Sequence, residues 1–163
     1  MIYRHLKDSK NMPRVQLDLP KRFVFSTDIP LRVSDINYGG HLGHDSVLSL
    51  THEARVRFLA KHGFTEMNVY GTGLIISDAI IVYKSEAFWG EVLKIQIAIS
   101  EFNKYGFDLI YKITEKKRKR EIARVKTGMV FFDYKKRKVA RVPPRFKKLF
   151  QRKKRVSLPR FKA

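Results

Sequence analysis

Between residues 35 and 46 the chain reads DINYGGHLGHDS, placing two acids, an asparagine, three glycines and two histidines in twelve positions. Carboxylates and imidazoles move protons at ordinary pH, and an asparagine orients a water or a polar substrate. Glycines let backbone N–H groups come close to a developing negative charge. Asp35, Asn37, Gly40, His41, Gly43, His44 and Asp45 are therefore the first candidates for chemistry. Three more follow in Glu53 and in Ser77–Asp78, a polar pair that interrupts the apolar run GLIISDAIIVY.

Each candidate also has a structural role open to it. Asp35 can bond nearby turn backbone, Asp45 can cap a helix, and Glu53 can form a salt bridge on a solvated helix face. His41 can fix the turn through a ring hydrogen bond. Ser77 and Asp78, if buried, need polar partners, either as pocket lining or in a local bond. His41, His44 and His52 follow one another at spacings of three and eight with no acid completing a ligand set, so no metal site is expected.

The elements around the turn are legible from periodicity. Phe23 to Val33 alternates with period two, placing Phe23, Phe25, Ile29, Leu31 and Val33 on one face of a half-buried strand. After the glycine turn the period changes: Val47, Leu50, Ala54 and Phe58 form a helical stripe. A helix from about Asp45 to His62 is expected, with Asp45 as N-cap and Gly63 as left-handed terminator. From Gly73 the chain predicts four strands. GLIISDAIIVY, apolar on both faces, is expected to be central, and VLKIQIAIS, FDLIYKI and the segment from Ala123 to Phe131 form an antiparallel meander.

The expected fold is α+β: an antiparallel five-stranded sheet wrapped on one long helix, with a basic C-terminal tail. The expected divisions are an N-terminal extension (1–20), a core domain (21–150) and the tail (151–163), with 142–150 docked on the core as a short turn. One helix covers only part of such a sheet, so a homodimer or homotetramer is expected.

The 163 residues suit one domain, and 44% hydrophobic residues make it globular. No apolar run is long enough to cross a bilayer, the N-terminus lacks the apolar core of a signal peptide, and there is no cysteine. A soluble cytoplasmic protein without disulfides is expected. The net charge of +20 is unevenly placed: residues 114–163 hold 21 Lys and Arg against three acids, and residues 1–113 hold 14 against 12. The C-terminal third should therefore attract a polyanion, such as an anionic membrane surface, nucleic acid or a phosphorylated cofactor.

DINYGGHLGHDSVLSLTHEARVRFLAKHGF resembles the acyl-CoA thioesterases of the 4-hydroxybenzoyl-CoA thioesterase family, which have the hotdog fold. The matching positions are Asp35, Asn37, Gly40, His41, Gly43, His44 and the helical His52, Glu53, Ala54 and Arg55. FWGEVLKI is similar to a turn of the same family. The resemblance implies hydrolysis of a CoA thioester to free acid and CoA, with CoA entering as part of the substrate and no other cofactor. It also implies sites between subunits.

Where the family has its catalytic aspartate, this chain has Asn37. Another carboxylate, Asp45 or Glu53, is then expected to act as base, with Asn37 orienting water or carbonyl and His41 shaping the turn. Asp35, Gly40, Gly43, His44, Ser77 and Asp78 are expected to line the substrate site. Two other readings stand beside this one: a non-catalytic acyl-CoA-binding protein, and a polyanion- or membrane-surface-binding protein on the same scaffold.

Overall fold

The structure is a computed structural model that describes residues 15–151. The expected N-terminal extension is thus seen only from Val15, and the expected basic tail lies, beyond Gln151, outside the described residues. Among the described residues no helix is long and apolar enough to cross a membrane.

Strand β1 runs Phe25–Pro30 and stops short of the expected Val33. The Leu31 N–H still reaches the Glu91 carbonyl (2.9 Å), and the chain then tightens into a 3-10 turn, Val33–Asp35, tied by the bonds from Arg32 to Asp35. Ile29 and Leu31 keep their predicted burial, whereas Val33 is 71% exposed.

Helix α1 spans His44–Lys61. Gly43, not Asp45, is its N-cap, and Asp45 sits in the first turn. Because Gly43 has no side chain, this end lacks a side-chain cap. The opposite end closes as expected, with Gly63 at φ +74°. Val47, Leu50, Ala54 and Phe58 turn inward, each no more than 2% exposed.

Strands β2 (Gly73–Tyr83), β3 (Val92–Ser100), β4 (Gly106–Glu115) and β5 (Glu121–Asp133) follow, all pairing antiparallel. A short β6, Lys138–Val139, adds to the end of β5 and makes the sheet six-stranded rather than five-stranded. The order is β1-β3-β4-β5-β2. Period two is kept through the meander: Leu93, Ile95, Ile97, Phe107, Leu109, Tyr111, Ile113, Val125 and Phe131 are all buried on the inner face.

The expected single long helix is replaced by two helices of 18 and 7 residues. Helix α2, Pro144–Phe150, closes one end of the core. Phe146 is fully buried, its ring 5.0 Å from that of Phe107 and 5.3 Å from that of Phe131. Cutting it to alanine would cost about 3–5 kcal/mol.

β2 is the other correction. Its two apolar faces suggested a central strand, yet among the described residues β5 is its only neighbour and it forms a sheet edge. Ile76 is 48% exposed there. The apolar excess in the sequence is real, but no strand among the described residues pairs with that edge.

Candidate active site

The 3-10 turn and the start of α1 are tied together by a compact set of backbone bonds. The Asn37 N–H donates to the His41 carbonyl (2.9 Å), the Gly40 N–H to the Asn37 carbonyl (3.0 Å) and the Gly43 N–H to the Asp35 carbonyl (2.9 Å). Leu42 donates to the Ala87 carbonyl (2.8 Å), docking the turn on the β2–β3 connection. Gly40, at φ +78°, supplies the left-handed residue this closure requires.

Asp35 lies beneath the turn, 3% exposed. Its carboxylate accepts the Arg32 N–H at 2.8 Å and the Arg32 guanidinium at 3.1 and 3.3 Å. Burial pushes its pKa up, but the Arg32 hydrogen bonds outweigh that and hold it below the usual value. Its observed contacts are those of a turn anchor.

Asn37 accepts the Gly39 N–H on Oδ1 at 2.9 Å, an Asx turn that leaves the amide NH2 without a partner among the described residues. His41 Nδ1 lies 3.3 Å from the Leu42 carbonyl. With that nitrogen as donor, Nε2 carries the lone pair. A Cβ on Gly39 would stand 3.0 Å from His41 Nε2 and 3.2 Å from Asn37 Oδ1, so a side chain there would crowd both groups.

Asn37, His41 and His44 line one cavity of about 210 Å³ with Tyr83, Ser85 and Glu86. The Tyr83 hydroxyl donates to the His44 carbonyl (3.2 Å), and the Ser85 hydroxyl to the Glu121 carbonyl (2.6 Å). Val47 is the first α1 residue to find a helical acceptor, the Gly43 carbonyl at 3.3 Å. The N–H groups of His44, Asp45 and Ser46 therefore carry no intrahelical bond, at the positive end of the helix dipole.

Glu86 is the carboxylate lining this cavity, and among the described residues it makes no hydrogen bond or ion pair. Nothing in the sequence marks it, because it stands far along the chain from the glycine turn and in no recognisable pattern. The Leu42–Ala87 bond is what brings the two segments together.

The other candidates lie elsewhere. Asp45 is exposed in the first turn of α1, next to His44 but outside the cavity lining. Glu53 pairs with Arg57 (2.7 Å) and borders a separate groove of about 360 Å³ with Arg32 and His52. His52 bonds Glu66 (2.8 Å), which also accepts from the buried Arg55 (2.6 Å). Ser77 and Asp78 sit at a bulge in β2, where Ser77 donates to Asp78 (2.8 Å) and Lys126 bridges Asp78 (3.0 Å) and Asp108 (3.3 Å). The Lys126 and Ser77 hydrogen bonds hold the Asp78 carboxyl below its usual value. Within one chain, then, Asn37, His41 and His44 come together, while Glu53, Ser77 and Asp78 do not join them.

The fold has counterparts among solved structures. A 1,4-dihydroxy-2-naphthoyl-CoA thioesterase from Synechocystis superposes with a TM-score of 0.70 at 21% identity, covering 77% of this chain and 94% of that one. A putative thioesterase from Pseudomonas aeruginosa gives 0.72 at 13% identity, covering 80% and 100%. A DHNA-CoA thioesterase from Staphylococcus aureus gives 0.65 at 19% identity, covering 71% and 78%. At these identities the likeness is one of fold. No curated protein matches the sequence. Residues 31–150 match the thioesterase-like superfamily, a span that includes the turn, both helices and β2 to β6. The chain belongs to the thioesterase-like superfamily and has its hotdog fold.

Proposed function

We propose that this protein hydrolyses an acyl-CoA thioester of the kind handled by the 4-hydroxybenzoyl-CoA thioesterases, at the cavity lined by Asn37, His41, His44 and Glu86. The observation that carries the reading is the meeting of an unpaired carboxylate, an unengaged amide and a helix start without a side-chain cap.

In this scheme the thioester oxygen faces the free N–H groups at the start of α1, which stabilise the charge that grows on it. The Asn37 amide orients the carbonyl or the attacking water. Glu86 takes the proton of that water as its oxygen bonds to the carbonyl carbon. Collapse of the tetrahedral intermediate breaks the C–S bond, and the proton held by Glu86 passes to the departing CoA sulfur. Asp45, beside His44, is the second candidate for the base. A role for Glu53 would need the groove of an apposed second copy.

A cavity of about 210 Å³ is smaller than a typical ligand pocket, which occupies roughly 300–1,000 Å³. It can hold the reacting thioester but not the whole substrate. β2 ends at Tyr83 on the cavity wall, and no strand among the described residues pairs with its outer edge. Pairing of two such edges would bury Ile76 and bring a second copy beside the cavity, so the proposed working unit is a homodimer.

Thiol trapping with short, long and aromatic acyl-CoA esters tests the reaction. Release of CoA from at least one ester is expected. Tight ester binding with no release would favour the non-catalytic reading, which the amide of Asn37 in the family's acid position supports.

A further inference from the structure

The charge excess of the C-terminal third is not used by the proposed chemistry. Residues 133–151 carry eight Lys and Arg against one acid, Asp133. That acid accepts the N–H groups of Lys135 (3.0 Å) and Lys136 (2.9 Å), closing the β5–β6 turn. The cations of the turn and the start of β6, Lys135 to Lys138, are exposed, as are Arg141, Arg145 and Lys148, and none forms an ion pair among the described residues.

The segment is held firmly at one end of the sheet. The Ala140 N–H donates to the Phe131 carbonyl (2.8 Å) and the Val142 N–H to the Lys104 carbonyl (3.1 Å). Phe146 and Phe150 then anchor α2 against the core, their rings 4.9 Å apart. With these two turned inward, Arg145, Lys148 and Leu149 share the outer side of the helix. Leu149 is 50% exposed, and Tyr134, Val139 and Tyr70 are exposed to a similar degree around the same end. Tyr70 borders the groove formed with Pro143, Pro144 and Arg145.

This end is distant from the candidate active site. Gly73 at the start of β2 lies against Tyr134, whereas Tyr83 at its end lines the cavity. The strand between them is eleven residues long, roughly 33 Å at the usual rise. The cations here are thus out of reach of the reacting centre of their own chain.

We infer that this end of the molecule, the β5–β6 turn with the outer face of α2, is a docking surface for an anionic phospholipid bilayer. Unpaired cations draw it to phosphate headgroups. The exposed Leu149, Val139 and tyrosines sit among those cations as in an interfacial segment, and the aliphatic Leu149 and Val139 suit a headgroup–acyl boundary but have no counterpart on a nucleic-acid backbone. In sequence, residues 152–163, outside the described residues, add six Lys and Arg and no acid.

Sedimentation of the full chain with vesicles tests the inference, using phosphatidylcholine alone against about three parts phosphatidylcholine to one of phosphatidylglycerol. Binding to the anionic vesicles alone is expected. Arg145→Glu with Lys148→Glu should weaken it by about tenfold or more, Lys135→Glu with Lys136→Glu should weaken it independently, and Leu149→Ser should weaken it several-fold. Thermal melts of each variant confirm folding. The inference is overturned by equal binding to neutral vesicles, or by binding that none of these substitutions changes. It is also overturned if duplex DNA binds more tightly than vesicles with Leu149→Ser neutral, or if free CoA displaces the protein, which would assign the cations to substrate phosphates.

Discussion

Asn37 and Gly39 are joined by a 2.9 Å hydrogen bond from the Gly39 N–H to the Asn37 side-chain oxygen, so the asparagine holds the turn with one end of its amide and presents the other. The two ends can be tested separately. Asn37→Asp keeps an acceptor for Gly39 and loses the donor; Asn37→Ala loses both. Both should lower kcat by roughly a hundredfold, as expected when a positioned donor is removed. Only Asn37→Ala should also lower the melting temperature, by the loss of about 1 kcal/mol. A rise of kcat in Asn37→Asp would show instead that this position serves best as the base.

The exposed edge of β2 makes a prediction about assembly. Ile76→Arg places a charge on an apolar edge residue that is 48% exposed in a single chain. Sedimentation velocity should show a dimer for the wild type and a monomer for this variant, with acyl-CoA turnover falling in parallel.

Glu66 links α1 to the loop before β2 by accepting from His52 and from buried Arg55. Burial pushes its carboxyl up, but the His52 and Arg55 hydrogen bonds and charges pull it below its usual value. A depressed carboxyl adds stability that is present above its unfolded pKa and lost as pH falls through the folded one. Unfolding midpoints should therefore drop on acidification below about pH 4.5, the ordinary value of this group. Glu66→Gln should remove that part of the acid sensitivity and cost roughly 2–4 kcal/mol at neutral pH, because Arg55 is left without its charge partner.

His62 gives an acid response in a different window. Its ring packs 5.2 Å from Phe58 and 5.0 Å from Phe150, and Nε2 is buried without a partner among the described residues. Burial, then the Lys61 charge, holds its pKa below the ordinary 6.5. The unfolded chain thus binds the proton more readily, and stability declines as pH falls below about 6.5. His62→Phe should abolish that decline in denaturant titrations at about pH 5–7, to within the apolar fit of the new ring.

Much of the fold was legible because period two and period 3.6 are kept wherever one face is buried, as in Leu93–Ile97 and Val47–Phe58. The departures have physical reasons. β2 looks central because its outer side is apolar, and periodicity is the same whether a neighbour strand or a second chain covers that side. Val33 alternates correctly, yet the Arg32–Asp35 bonds turn the chain away before it. Asp45 has the residue type of an N-cap, but Gly43 takes that position because its N–H is needed by the Asp35 carbonyl. Of the candidate site, the contiguous turn was legible. Glu86 was not, since its approach depends on the long-range Leu42–Ala87 bond.

The decisive experiment is kcat on the best acyl-CoA ester for wild type, Glu86→Gln and Asp45→Asn, each checked for an unchanged melting temperature. With Glu86 as the base, the wild type releases CoA, Glu86→Gln loses about a hundredfold or more, and Asp45→Asn loses less. Full activity in Glu86→Gln, or no CoA release by the wild type from any ester it binds, would contradict the assignment.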